Sequence, residues 1–117
     1  MNIPSIGIII STTRQGRFGH VPANWLHQIG RHRDDLSLEI IDLRDHPLPM
    51  FDEPVPPAYQ SPLNKEVQRW LERVRVLDGY IFVTAEYNRS IPAVLKNAMD
   101  YSHSEFSRKP ASFFGYG

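Results

Sequence analysis

Three features of this 117-residue chain predict an α/β domain built on an open parallel sheet. Short apolar runs alternate with segments of helical periodicity, the pattern that βα units produce. The run at 80–84, Tyr-Ile-Phe-Val-Thr, is almost wholly apolar and rich in β-branched and aromatic residues, as a strand covered on both faces requires. Immediately after it, residues 85–100 (AEYNRSIPAVLKNAMD) combine polar groups, turn chemistry and a helix start. In open α/β sheets ligands bind outside the carboxyl ends of the strands, which is where this segment falls.

Taken in order, residues 6–10 are a consecutive apolar run and form the first strand, with Pro4 tolerable because it lies at the very start. Pro22 opens a helix carrying Trp25, Leu26 and Ile29, closed by Gly30 or by the charged residues 31–35. A second strand over 38–43 ends among Asp42, Asp45 and His46. Residues 47–62 hold six of the ten prolines, which excludes helix and central strand and leaves a long ordered loop or a flap. Ser61-Pro62 supplies a cap and first turn for a helix with Val67, Trp70, Leu71, Val74 and Leu77 at helical spacing, terminated by Asp78-Gly79. The third strand follows at 80–84. Pro92 then suits the first turn of a helix, where a missing N–H costs nothing, and Val94, Leu95, Ala98 and Met99 mark its apolar face. A last strand at 111–114 runs into Gly115-Tyr116-Gly117. Trp25, Trp70, Phe113 and Phe114 read as core residues, and the aromatics between Tyr101 and Phe106 as core or interface.

Composition narrows the function classes. With 41% hydrophobic and 22% charged residues the chain is a single domain over 1–117, neither disordered by composition nor long enough in any apolar run, against the ~20 residues needed, to span a membrane. Thirteen basic residues balance thirteen acidic ones, so no global field attracts nucleic acid or an anionic membrane, and any anion site must be local. The absence of cysteine excludes disulfides, thiolate catalysis and cysteine-based metal centres. The apolar run near the N-terminus has no basic leader and is too short for a secretory signal, so a cytoplasmic location is expected. Asp42, Asp45 and His46, or Asp100, His103 and Glu105, have no spacing diagnostic of a metal site, and none is assigned.

Glu86-Tyr87-Asn88, followed by Ser90, Pro92, Leu95-Lys96-Asn97-Ala98 and Asp100, resembles the signature of the NADPH-dependent FMN reductase family. Residues 11–17 (STTRQGR) resemble that family's phosphate loop, Lys109-Pro110 leading to Gly115-Tyr116-Gly117 its third flavin-contacting loop, and Leu48-Pro49 with Asp52-Glu53-Pro54 its proline-rich segment. The resemblance covers essentially the whole chain. It implies a flavodoxin-like fold with strand order 2-1-3-4-5, of which four strands are present here, and a C-terminally incomplete domain lacking the fifth strand and its flanking helices. The fourth strand is then expected to be an edge with exposed apolar surface, in a shortened chain or one completed by another copy.

Local chemistry supports the first loop as a phosphate site. A strand-to-helix turn offers backbone N–H groups and the positive end of a helix to a phosphate dianion. Thr12 and Thr13 can donate hydroxyl hydrogen bonds, Gly16 allows close backbone approach, and Arg14 or Arg17 can pair with phosphate oxygens. Arg17 stands where the family commonly has serine, and Gly19 where it often has asparagine. The chain lacks the Lys-Ser/Thr of a nucleotide triphosphatase loop and does not complete a GxGxxG fingerprint.

In the second loop the resemblance implies that Glu86, Tyr87 and Asn88 line the isoalloxazine ring, largely through backbone groups, with Ser90 nearby. A capped turn, in which Asn88 and Ser90 serve only the helix N-terminus, is the structural alternative. Gly115 and Tyr116 are expected under or beside the flavin. Lys96, Asn97 and Asp100 are expected to lock helix to loop.

The implied function is an FMN-dependent NAD(P)H oxidoreductase, taking NADPH or NADH and passing electrons to a small-molecule acceptor such as flavin, a quinone, an azo dye or a metal oxyanion. The cofactor carries that chemistry, so no catalytic side chain is assigned. The resemblance further implies a homodimer or homotetramer, with the proline-rich loop and residues 101–108 as contact candidates. A flavodoxin-type electron carrier, or a non-catalytic remnant that self-associates, are the competing classes; the balanced charge argues against the usually acidic carrier.

Overall fold

The computed structural model describes residues 2–117. Four strands form one sheet: β1 (Ser5–Ile10), β2 (Ser37–Asp42), β3 (Gly79–Ala85) and β4 (Ala111–Tyr116). Their order is β2-β1-β3-β4 and every pairing is parallel, as the sequence predicts. The reversal of direction from β1 to its two neighbours puts a topological switch point at the carboxyl end of β1, beside the first loop.

Alternation along the central strands sorts two cores. Ile8, Ile10 and Val83 turn toward α1 (His20–Gly30), where Ala23 is fully buried. Ile9, Tyr80 and Phe82 turn toward α2 (Lys65–Arg75) and α3 (Ala93–Asp100), meeting Val67, Trp70, Val74, Leu95 and Ala98. Trp70 is completely buried and its indole N–H donates to the Ala98 carbonyl at 3.1 Å, tying α2 to α3. Tyr80 on β3 donates its hydroxyl to the Val74 carbonyl at 2.6 Å, and burial pushes its pKa up to about 12. Tyr101 is core, and Phe106 packs onto Tyr80 with ring centroids 4.5 Å apart.

Several boundaries differ from the sequence expectation. The cap of α2 is Asn64, whose side chain accepts from the N–H groups of Glu66 and Val67 at 2.9 and 3.1 Å; Ser61-Pro62 lie upstream, because an asparagine two residues closer to the apolar face satisfies both orphan donors. The helix ends at Arg75, before Leu77, which is buried outside it. Pro22 sits in the third position of α1. Pro92 is the cap residue of α3 rather than part of its first turn, and Val94 faces outward. Trp25 is not core: it is 55% exposed, touching Phe114 edge-on at 6.2 Å. Phe113 is 63% exposed on β4, which forms an edge of the sheet as expected. Gly115 and Tyr116 are not a loop, because their backbones pair with Thr84 and Ala85 and extend β4 by two residues.

The proline-rich segment 47–62 is an ordered loop along much of its length. Asn97 of α3 accepts from the Phe51 N–H at 2.8 Å and donates to the Pro49 carbonyl at 3.0 Å, and the Tyr101 hydroxyl donates to the same carbonyl at 2.9 Å. The Asn97 part of the expected helix-to-loop lock is therefore present, whereas Lys96 and Asp100 pair with each other along one turn of α3.

Candidate functional site

The first loop, residues 11–19, leaves the carboxyl end of β1 and enters α1. It is held from one side by two arginines. Arg17 donates to the Thr12 carbonyl at 2.9 Å and grips Asp42, at the end of β2, through both terminal nitrogens at 2.6 and 2.5 Å. Arg44 donates to the carbonyls of Thr13 and Arg14 at 3.2 and 2.6 Å. A trans peptide turns its N–H opposite to its C=O. With the carbonyls of residues 12–14 committed to arginines, the N–H groups of residues 13–15 face the other way, and none of them has an acceptor among the described residues. Gly16 completes the turn at φ +70°. The start of α1 has no side-chain cap and no acidic residue in its first turn. A row of unused amides beside an uncapped helix start is suited to an anion.

The Arg17–Asp42 pair is largely buried, with 9% and 20% of the two side chains exposed. The Asp42 hydrogen bonds raise the pKa of Arg17 against the opposing effect of burial. Burial likewise works against the Asp42 carboxylate, but Arg17 and the Arg44 N–H outweigh it and hold its pKa below the usual carboxylate value. The terminal nitrogens of Arg17 are thus occupied by Asp42 and Thr12, and only its Nε has no partner among the described residues. Arg14 is exposed, and the one hydrogen bond of its side chain, to the Gln15 carbonyl, is long at 3.3 Å. It is the arginine free to meet a ligand.

The second loop follows β3. Tyr87 and Ser90 form an antiparallel bridge, with N–H to O=C distances of 2.9 and 3.0 Å, around Asn88 and Arg89 at φ +50° and +68°. Two consecutive positive φ values define a type I′ turn. This tight hairpin holds residues 86–90 exposed above the sheet, and Glu86 is tied to β4 by its N–H donating to the Tyr116 carbonyl at 3.0 Å. Neither Asn88 nor Ser90 caps α3 with its side chain.

These elements enclose a cleft of about 330 Å³ lined by Arg14, Phe18, Ala85, Glu86, Tyr87, Tyr116 and Gly117. A second of about 400 Å³ adjoins it and is lined by Thr84, Ile91, Ser90, Gly115 and the residues shared with the first, Ala85, Glu86, Tyr116 and Gly117. Of the residues singled out in the sequence, Arg14, Glu86, Tyr87, Ser90, Gly115 and Tyr116 line this double cleft. Thr12 lies beneath the loop at 1% exposure; Gly16 and Asn88 stand outside both clefts.

Thr13 faces another way, into a cleft of about 300 Å³ between the end of β2, the proline-rich loop and α3, with Leu43, Pro47, Leu48, Met50 and Val94. His46 lies at its base, 7% exposed, packed edge-on against Trp70 at 5.4 Å, and burial lowers its pKa from 6.5. This cleft gathers fewer of the expected groups than the double cleft. Asp42 and Arg44, which shape the phosphate-like loop, were not among the expected site residues. Their placement depends on β2 pairing beside β1, 25 to 31 residues away in sequence from their partners.

A parallel sheet of order 2-1-3-4 with ligand-suited loops at the carboxyl ends of β1 and β3, beside the end of β4, defines a flavodoxin-like domain. The chain belongs to the NADPH-dependent FMN reductase family, whose profile matches residues 4–117. It is 36% identical over 118 residues to an NAD(P)H-dependent FMN reductase of Nectria sp, covering 96% of this chain and 59% of that protein. An NAD(P)H-dependent FMN reductase of Schizosaccharomyces pombe is 34% identical over 97% of this chain and 58% of its own length. Among solved structures, the FerB flavoenzyme NAD(P)H:(acceptor) oxidoreductase from Paracoccus denitrificans superposes with a TM-score of 0.76 at 24% identity, covering 97% of this chain and 60% of that one, and so shares the fold. The chain spans less than two thirds of the length of these relatives.

Proposed function

We propose that this chain binds FMN in the double cleft, with the phosphate at the first loop and the ring between the 85–90 hairpin and the end of β4. It acts as a flavin-dependent NAD(P)H oxidoreductase toward a small-molecule acceptor, of which flavins, quinones, azo compounds and metal oxyanions are the proposed classes. The observation that carries this reading is the convergence on one cleft of Arg14 from the first loop, Glu86 and Tyr87 from the second, and Tyr116 from the end of β4, in a chain matched by the family profile almost end to end.

The residues present fit the group. Thr12 keeps a buried, unpartnered hydroxyl under the loop, the amides of residues 13–15 are unused, and Arg14 is a free cation beside them. When bound, FMN supplies a two-electron carrier that takes hydride from a nicotinamide and passes electrons onward. The chain holds and orients it. Arg17 and Arg44 fix the loop so that its N–H groups are set before the ligand arrives, which reduces the ordering cost of binding. The type I′ hairpin offers backbone groups at fixed positions and leaves one side of the cleft open for a planar partner. No side chain need act as acid, base or nucleophile.

A cytoplasmic location and a homodimer or homotetramer belong to the same reading; among the described residues no helix is long and apolar enough to cross a membrane. The test is an FMN titration of the 117-residue chain by flavin fluorescence quenching, followed by NADH and NADPH oxidation with a quinone. Saturable micromolar binding with turnover is expected. Binding without turnover would favour the electron-carrier class, and no binding would overturn the proposal.

A further inference from the structure

Beneath the first loop three buried polar atoms have no hydrogen-bond partner among the described residues: the Thr12 hydroxyl, Arg17 Nε and the Tyr116 hydroxyl. Two of them converge on Gly19, the cap residue of α1. A Cβ on Gly19 would lie 2.8 Å from the Tyr116 hydroxyl and 3.1 Å from Thr12 Oγ1. The third belongs to the guanidinium that already donates to the Thr12 carbonyl. Thr12 is 1% exposed and the Arg17 side chain 9%, so bulk water does not satisfy them.

All three atoms can donate a hydrogen bond, and Arg17 Nε can do nothing else. Buried donors are normally paired, so three unpaired ones gathered at one place call for a partner of complementary chemistry. A phosphate oxygen, which only accepts, answers such a set. Gly19 itself has φ −55°, a helical value open to any residue, so glycine is not demanded by the backbone there. What demands it is the tip of Tyr116, which reaches across from β4 with its ring edge-on to Phe18 at 5.3 Å and fills the space a side chain at position 19 would take.

We infer that Tyr116 is a specificity-determining residue for a phosphate monoester: its hydroxyl, together with that of Thr12, donates to the phosphate at the start of α1, and Gly19 is the residue that admits it. The inference rests on the reading that the FMN phosphate occupies this loop. It moves the work of Tyr116 from the ring end of the flavin, where its backbone lies, to the phosphate end, where its hydroxyl lies.

The experiment compares wild type, Tyr116→Phe, Gly19→Ala and the double variant in titrations with FMN, riboflavin and inorganic phosphate, the last followed through the amide resonances of Gly16 and Gly19. Removing one hydrogen bond to a charged group should weaken FMN and phosphate about tenfold in Tyr116→Phe while riboflavin stays within about twofold. Gly19→Ala should displace the hydroxyl and weaken FMN similarly, and the double variant should be no worse than either single one. Equal losses for FMN and riboflavin, or no loss, would assign the hydroxyl a packing or water-binding role and overturn the inference. If wild type binds phosphate but neither flavin, the FMN reading fails while the phosphate comparison still decides the role of Tyr116; if it binds no phosphate either, both fail. Should Tyr116→Phe not fold, Gly19→Ala with Tyr116 intact gives the same phosphate-against-riboflavin comparison.

Discussion

Arg14 and Arg17 lie three positions apart in one loop and look interchangeable as phosphate partners, yet their surroundings separate them. Arg17 is largely buried and forks onto Asp42, whereas Arg14 is exposed and barely engaged. Arg17→Ala would leave the Asp42 carboxylate with only the Arg44 N–H, and should cost about 2 kcal/mol in chemical denaturation, a pair at this partial burial lying between exposed and fully buried cases. Arg14→Ala should change stability by less than about 0.5 kcal/mol but weaken FMN selectively against riboflavin. Equal stability losses in the two variants would contradict this division. The distinction was not legible in the sequence, because a residue's partner is fixed by the fold: the phosphate-suited turn chemistry is local to residues 11–19, while Asp42 and Arg44 arrive through the β1–β2 pairing. The same holds for Tyr116, whose hydroxyl meets Gly19 only because β3 stands between β1 and β4.

At the scale of elements, periodicity located the four strands and the three α-helices of the described residues, and it failed where it could not know what lay opposite. Trp25, Leu26 and Ile29 share a helical stripe, but the sheet beneath α1 receives Ala23 and part of Leu26, leaving Trp25 at the rim beside Phe114 of β4 and Ile29 exposed. The end of β4 was misread for the opposite reason. Glycine and tyrosine at 115 and 116 have turn-like composition, yet the ladder to Thr84 and Ala85 continues through them. The proline-rich loop was recognisable as irregular, but its order comes from α3. Asn97 is 8% exposed and uses both ends of its amide on Phe51 and Pro49. Asn97→Ala strands the Phe51 N–H and leaves the Pro49 carbonyl to Tyr101 alone, and should destabilise the protein by about 2 kcal/mol. Limited proteolysis should then cut within residues 47–62 much faster than in wild type, since the loop loses two of the hydrogen bonds that hold it to α3. Unchanged cleavage would show that Tyr101 and the packing of Leu48 and Phe51 suffice.

For the molecule as a whole, two-sided cover of the sheet is uneven. β1 and β3 are buried between the helical layers, while on β4 only Phe114 and Tyr116 are even half-buried and the backbone of its outer edge has no partner strand among the described residues. Phe113 and Trp25 lie exposed on opposite faces beside that edge, so the apolar surface there is met from both sides of the sheet. An open strand edge flanked by exposed aromatics favours association with another chain. The 117-residue chain is therefore expected to sediment as a concentration-dependent mixture of monomer and larger species. A lysine at the centre of an edge strand disfavours edge-to-edge pairing, and position 113 faces solvent, so Phe113→Lys should shift the mixture toward monomer with little loss of fold. Because Phe113 lies on β4 several residues before Tyr116 and lines neither part of the double cleft, FMN affinity should survive that shift if each copy builds its own site. Loss of FMN together with the larger species would instead mean that a second copy completes the cleft, and sedimentation with and without FMN across the same concentration range separates the two arrangements.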